Sequence, residues 1–138
     1  MAVKNTTEQI VAAFRLINTA KITKMEDTEK FALIKAVKHL KKVGTDFDDF
    51  LKDAQERLKP EDFDKIAAKY QSKEELTSDE TAALNKYNKD VNECVQGELD
   101  KEVELDFEPL SEEALGRFIA SNDFTVAEIM TISDVIGA

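Results

Sequence analysis

A mainly α-helical fold with a minor β element is what this sequence predicts, and three observations predict it. Only four Gly and two Pro occur in 138 residues, a composition that favours helix over turn-rich β architecture. Apolar positions between Leu33 and Leu58 repeat with a helical period. Between residues 102 and 108 that period changes to two. Together these predict an elongated antiparallel helical hairpin or bundle, a short strand at 102–108 and two C-terminal helices. No repeat or linker interrupts the chain, so 1–138 reads as a single domain, with a hairpin core over 28–97 and a strand-plus-helix subregion over 101–137.

Taken in order, the first helix opens at Thr6, with Gln9 three residues on as the second half of a capping box. Ile10, Phe14 and Ile17 form its stripe, widened by Val11 and Ala13, and it ends near Asn18. Residues 20–26 read as extended or irregular. Asp27 or Thr28 then starts the strongest pattern in the chain. Leu33, Val37, Leu40, Gly44, Phe47, Leu51, Ala54 and Leu58 make an unbroken heptad seam, flanked by Ile34, Val43 and Phe50. Gly44 is either a C-cap with Thr45 starting a new helix or a small seam residue; the phase survives it, which favours one long helix, bent if anywhere there, and 28–59 would span about 50 Å at the α-helical rise. Asp48–Lys52 and Asp53–Arg57 are spaced as ion pairs on its outer surface.

Pro60 suits the first turn of a short helix carrying Phe63, Ile66, Ala67 and Tyr70. A polar loop over 71–77 leads to a second capping box, Thr77 with Glu80, and a helix whose stripe is Leu84, Tyr87, Val91 and Cys94, ending at Gly97. In 102–108, Val103, Leu105 and Phe107 alternate with acids, as in a strand with one buried face. A strand needs a mate for its backbone groups. Residues 21–25 are the internal candidate, with Lys21 and Lys24 suited to acidic neighbours, and a second copy of the chain is the other. Ser111 caps a helix holding Leu115, Phe118 and Ile119 that ends near Asn122. The last helix has its own capping box, Thr125 with Glu128, a Phe124–Ile129 staple, and the stripe Ile132, Val135 and Ile136 before Gly137.

Charge is distributed unevenly. The chain carries −10 in all. Residues 1–43 hold nine basic and four acidic side chains, whereas 44–138 hold ten and twenty-five. That balance argues against direct nucleic-acid binding, which draws its affinity from cations that displace counterions. No run of residues is long and apolar enough for a bilayer or a secretory signal, so no membrane partner is expected and the expected location is cytoplasmic.

Candidate chemistry is sparse. His39 is the only histidine and lies off the seam, and Cys94 is the only cysteine, inside a helical stripe where a structural thiol is expected. Asp46, Asp48, Asp49 and Asp53 lack the loop glycine and terminal glutamate of a calcium hand, which makes them solvated helix surface. No phosphate loop, dinucleotide glycine pattern or nucleophile elbow occurs. No enzyme, cofactor, metal or small-molecule substrate is therefore expected, and protein association or self-association is. Two surfaces are candidates for it. One is the basic row Lys35, Lys38, His39 and Lys42. The other is the acidic ladder Glu98, Asp100, Glu102, Glu104, Asp106 and Glu108, of which the last four lie in the strand. Solvated faces account for both as ordinary surface. Docking of an acidic surface on the first and of a basic partner on the second are the functional readings.

The capped N-terminal helix, the run Lys35-Ala-Val-Lys-His-Leu-Lys-Lys, the run Phe47-Asp-Asp-Phe-Leu-Lys-Asp-Ala, and the acidic strand followed by Leu110-Ser-Glu-Glu-Ala-Leu carry a resemblance. Across most of its length the chain resembles small acidic helical proteins encoded by bacteriophages and prophages, a group without an assigned site. The resemblance implies virion assembly, with virion association as a second location. It also implies an alternative: an acidic inhibitor or nucleic-acid mimic directed at a host nucleic-acid-binding or defence protein.

Overall fold

The computed structural model describes residues 2–137. Among them six helices and two strands run in the order β1 (Ala2–Thr6), α1 (Thr7–Asn18), α2 (Asp27–Leu58), α3 (Phe63–Gln71), α4 (Ser78–Leu99), β2 (Glu102–Asp106), α5 (Glu112–Ala120) and α6 (Val126–Ile136). The fold is mainly helical, with the short strand and the two C-terminal helices that the periodicity predicts and a second strand, β1, that it does not.

The three capping boxes form as spaced. The Thr6 hydroxyl accepts the Gln9 amide at 3.2 Å, and Gln9 Oε1 accepts the Thr6 amide at 2.9 Å. Thr77 and Glu80 exchange the same pair of bonds, as do Thr125 and Glu128. Each box satisfies two helix-terminal donors that the helix itself leaves unpaired.

By packing, the chain forms two compact units: Met1–Phe47 with Leu99–Ala138, and Asp48–Glu98. The boundary falls inside α2, so its single seam serves two cores. In the first unit, Ile10, Ala13 and Ile17 of α1 meet Leu33, Ala36 and Leu40 of α2, Phe118 of α5 and Ile132, Val135 and Ile136 of α6. Burying the leucine, isoleucine, valine and phenylalanine side chains among these stabilises by about 1.5–3 kcal/mol each. Ala36 is buried while Val37 stays half-buried, so the seam leans toward one flank; Ile34, on the other flank, is exposed. α2 does continue through Gly44, which packs under the Phe14 ring.

The strand's mate differs from the expected segment. β2 pairs antiparallel with β1, Lys4 opposite Glu104 and Thr6 opposite Glu102. Residues 21–25 have other partners. The Lys21 amide donates to Asn122 Oδ1 at 2.7 Å, Asn122 Nδ2 returns a bond to the Lys21 carbonyl, and the Lys24 amide donates to Ser121 Oγ. Side chains at the end of α5 thus consume the backbone groups that a strand would have offered. β2 itself stops at Asp106, two residues short of the expected 108, and Phe107 turns into the core.

In the second unit Ala54, Ile66 and Val91 are the buried apolar residues among those described. The Tyr87 hydroxyl donates to the Gln55 carbonyl and its ring meets Phe63 at 4.8 Å. Three local boundaries shift. Pro60 lies ahead of α3, closing a turn through the Phe63 amide, and Tyr70 faces solvent. α4 runs through Gly97 to Leu99. α5 ends at Ala120 rather than Asn122. Arg57 directs Nη2 to Cys94 Sγ at 3.5 Å instead of to Asp53, and Cys94 is half-buried.

Candidate interaction surface

The first four turns of α2 position the basic row. A seam of Leu33, Ala36 and Leu40 points inward, and a period of 3.6 then turns Lys35, Lys38 and Lys42 outward. All three are exposed, as is Lys41 beside them, and none of the three enters an ion pair among the described residues. His39 is exposed too, but its ring stacks on Phe107, with centroids 5.6 Å apart and planes 29° from parallel. That stacking ties the row to the end of β2.

The acidic ladder is placed by the pleat. Glu102, Glu104 and Asp106 are exposed on one face of β2, while Val103 and Leu105 are half-buried on the other. Lys4 stands opposite Glu104 across the ladder and is exposed on the same face. Such a cross-strand pair of opposite charges offsets part of the repulsion along the acids. Glu108 lies beyond the strand, also exposed.

The two predicted surfaces meet at one place. A groove of about 350 Å³ separates the start of α2 from the link into α5, with Phe31, Ala32 and Lys35 on one wall and Glu108, Leu110 and Ala114 on the other. Lys35 and Glu108 therefore border the same concavity from opposite sides. Lys38, Lys42, Glu102, Glu104 and Asp106 do not line it. Glu29, another wall residue, is held by Arg117 and accepts the Glu26 amide at 2.9 Å, which fixes that carboxylate in place. Ser111 also lines the groove, with its hydroxyl accepting the Ala114 amide at 3.2 Å as the α5 cap. The groove thus offers apolar contact, the fixed carboxylate of Glu29 and the exposed charges of Lys35 and Glu108.

Sequence reasoning missed the apolar part of this surface. Phe31 is 66% exposed and Ile34 46%, next to the lysines on the same helix. α6 carries a second such pair, Val126 at 74% and Met130 at 60%. A signal for the latter exists in the sequence. Val126, Ile129, Met130, Ile132, Val135 and Ile136 are too many apolar residues for one helical stripe, so some must face outward.

The two resolved pKa shifts lie in the second unit. Glu80 is held below the ordinary carboxylate range, first by the Thr77 amide and then by Lys69. Lys59 is raised, chiefly by its bond to Glu56. Asp46, Asp48, Asp49 and Asp53 are each exposed, and no helix among the described residues is long and apolar enough to cross a membrane. No protein-family model, curated protein or solved structure matches the chain.

Proposed function

We propose that the protein is a non-catalytic interaction and assembly module that works through the outer face of α2. The observation that carries this reading is the continuity of Phe31 and Ile34 with Lys35, Lys38 and Lys42. Two large exposed apolar side chains and three exposed cations without an ion pair among the described residues share one helix surface. Exposed apolar groups rimmed by charge are the usual composition of a docking surface. The resemblance to phage-encoded proteins directs the reading to a structural or assembly component of a phage or prophage, acting in the cytoplasm or in the virion.

Light scattering at moderate salt, together with a pull-down from a lysate of the natural host, tests it. An oligomer or a stable complex that the triple variant Lys35→Glu, Lys38→Glu, Lys42→Glu weakens is the expected result. A strictly monomeric chain that captures nothing overturns the reading.

The acidic face of β2 favours a second reading, an acidic inhibitor that occupies a basic nucleic-acid-binding or defence protein. Glu102, Glu104 and Asp106 project side by side at roughly 6.6 Å intervals, a spacing comparable to that of phosphates along a nucleic-acid strand. Charge reversal of these three should abolish capture of such a protein and leave the circular dichroism unchanged. Capture that survives the reversal removes this alternative.

A further inference from the structure

Phe31, Ile34, Tyr70, Val126 and Met130 are the large apolar side chains most exposed among the described residues. Four of the five belong to the unit formed by Met1–Phe47 and Leu99–Ala138, and they fall into two pairs. Phe31 and Ile34 sit three apart on α2, so they share a face; Val126 and Met130 sit four apart on α6 and share another. The faces differ in charge. Along α2 the pair continues into Lys35, Lys38, Lys41 and Lys42, all exposed. On α6 the pair is followed one turn later by Asp134, and Asp123 lies in the extended segment just before the helix; both are exposed, and α6 contains no basic residue.

We infer that these two faces bind each other between copies of the chain, α2 of one copy against α6 of the next. The inference rests on the interaction reading above and names its partner. Charge complementarity selects a second copy, because the same chain carries a basic–apolar helix face and an acidic–apolar one of matching length. From Phe31 to Lys38 is seven residues, about 10.5 Å at the helical rise. From Val126 forward to Asp134 is eight. With the two helices parallel, apolar pair meets apolar pair and Lys38 meets Asp134 one turn further on. The apolar pairs supply most of the attraction, since exposed ion pairs add little and are screened by salt. The lysines and aspartates choose the partner: α6 against α6 would oppose acids, and α2 against α2 would oppose lysines. Because the surfaces that meet are different, each copy keeps one of each to offer. The contact therefore closes as a reciprocal pair or continues as a ring or filament.

Cross-linking between two pools tests this. In a Cys94→Ser background, one pool carries Ile34→Cys and the other Met130→Cys; the pools are mixed and oxidised, and the products are mapped by mass spectrometry. The control replaces Met130→Cys with Glu75→Cys, an exposed position in the loop before α4. A 34–130 link forming well above the control is expected. Met130→Glu, which leaves the core untouched, should weaken self-association by about tenfold or more. A wild-type chain that self-associates or captures a partner, yet gives no excess 34–130 link and ignores Met130→Glu, overturns this inference and leaves the interaction reading standing. A wild-type chain that stays monomeric and captures nothing overturns both.

Discussion

Glu80 shows how one side chain can link a helix cap to pH. Its carboxylate accepts the Thr77 amide at 3.0 Å and the Lys69 ammonium at 2.9 Å, and both favour the charged form, so its pKa lies below the ordinary 4.5. A depressed acid contributes stability that is present above its unfolded pKa and lost as pH falls through the folded value. Glu80→Gln should therefore flatten the acid limb of a plot of Tm against pH, while Lys69→Met should shift that limb less, because the backbone amide is the larger cause. An unchanged acid limb in Glu80→Gln would refute the linkage. Gly44 makes the second residue-scale prediction. A Cβ there would stand 3.1 Å from Phe14 Cδ2, close enough that the ring must yield by a few tenths of an ångström. Alanine gains about 1 kcal/mol of helix propensity over glycine, so Gly44→Ala should be near neutral in urea unfolding. Gly44→Leu should cost about 1–3 kcal/mol through overpacking; a leucine variant as stable as the parent would mean that α1 does not press on α2 there. The caps were legible because they depend on residues three apart. The role of Gly44 was only half legible: the heptad phase identified a seam glycine, but not the aromatic ring from a helix thirty residues earlier in the chain.

At the scale of elements, the seam lengths and the strand could be read from period alone, whereas the pairing of β2 could not. Alternation at 103–107 announces a buried face and says nothing about which segment lies alongside. Lys21 and Lys24 looked suitable on charge, and the bonds that Asn122 and Ser121 make to their backbone removed them. β1 is five residues long and merges directly into the Thr6 cap, which is why its signal was absorbed into the helix start. The pairing makes a definite prediction. Deleting residues 2–5 should strip β2 of its hydrogen-bonded mate, so amide protection across Glu102–Asp106 should fall while α6 stays protected. The Thr7 amide, which donates to the Lys101 carbonyl at 2.9 Å, should still anchor α1 to the start of that segment. Protection of β2 that survives the deletion would mean that β1 is dispensable. Exposure of Phe31 and Ile34 is illegible for a related reason, whereas the surplus of apolar residues on α6 does announce that some of them face outward. Period assigns a helix one buried face, but only the neighbours decide where its margins fall.

At the scale of the whole chain, the two units differ in how much apolar surface they enclose. The first has a continuous core from α1, α2, α5 and α6, in which Ile10, Leu40, Phe118, Ile132 and Ile136 are each 0% exposed. In the second, Ala54, Ile66 and Val91 are buried, while Phe50, Leu51, Leu58, Phe63, Leu84 and Tyr87 are all half-buried. A unit of this size is marginal even with a full core, and half-buried side chains recover only part of their transfer free energy. Net charge acts in the same direction, since Asp48–Glu98 holds eight basic and fourteen acidic residues. The second unit should therefore open at lower free energy than the first. Native-state hydrogen exchange would show amides of α3 and α4 exchanging well before those of α1 and α6, with added salt narrowing the gap by screening like charges. Phe118→Ala, which empties the first core, should cost about 3–5 kcal/mol and pull α1, α5 and α6 down together. Because α2 crosses the boundary between Phe47 and Asp48, its amides should divide accordingly, those before Phe47 following the first unit and those after it the second. Uniform exchange along all of α2 would show that the long helix couples the two cores into one cooperative transition, and the difference in burial would then have no counterpart in stability.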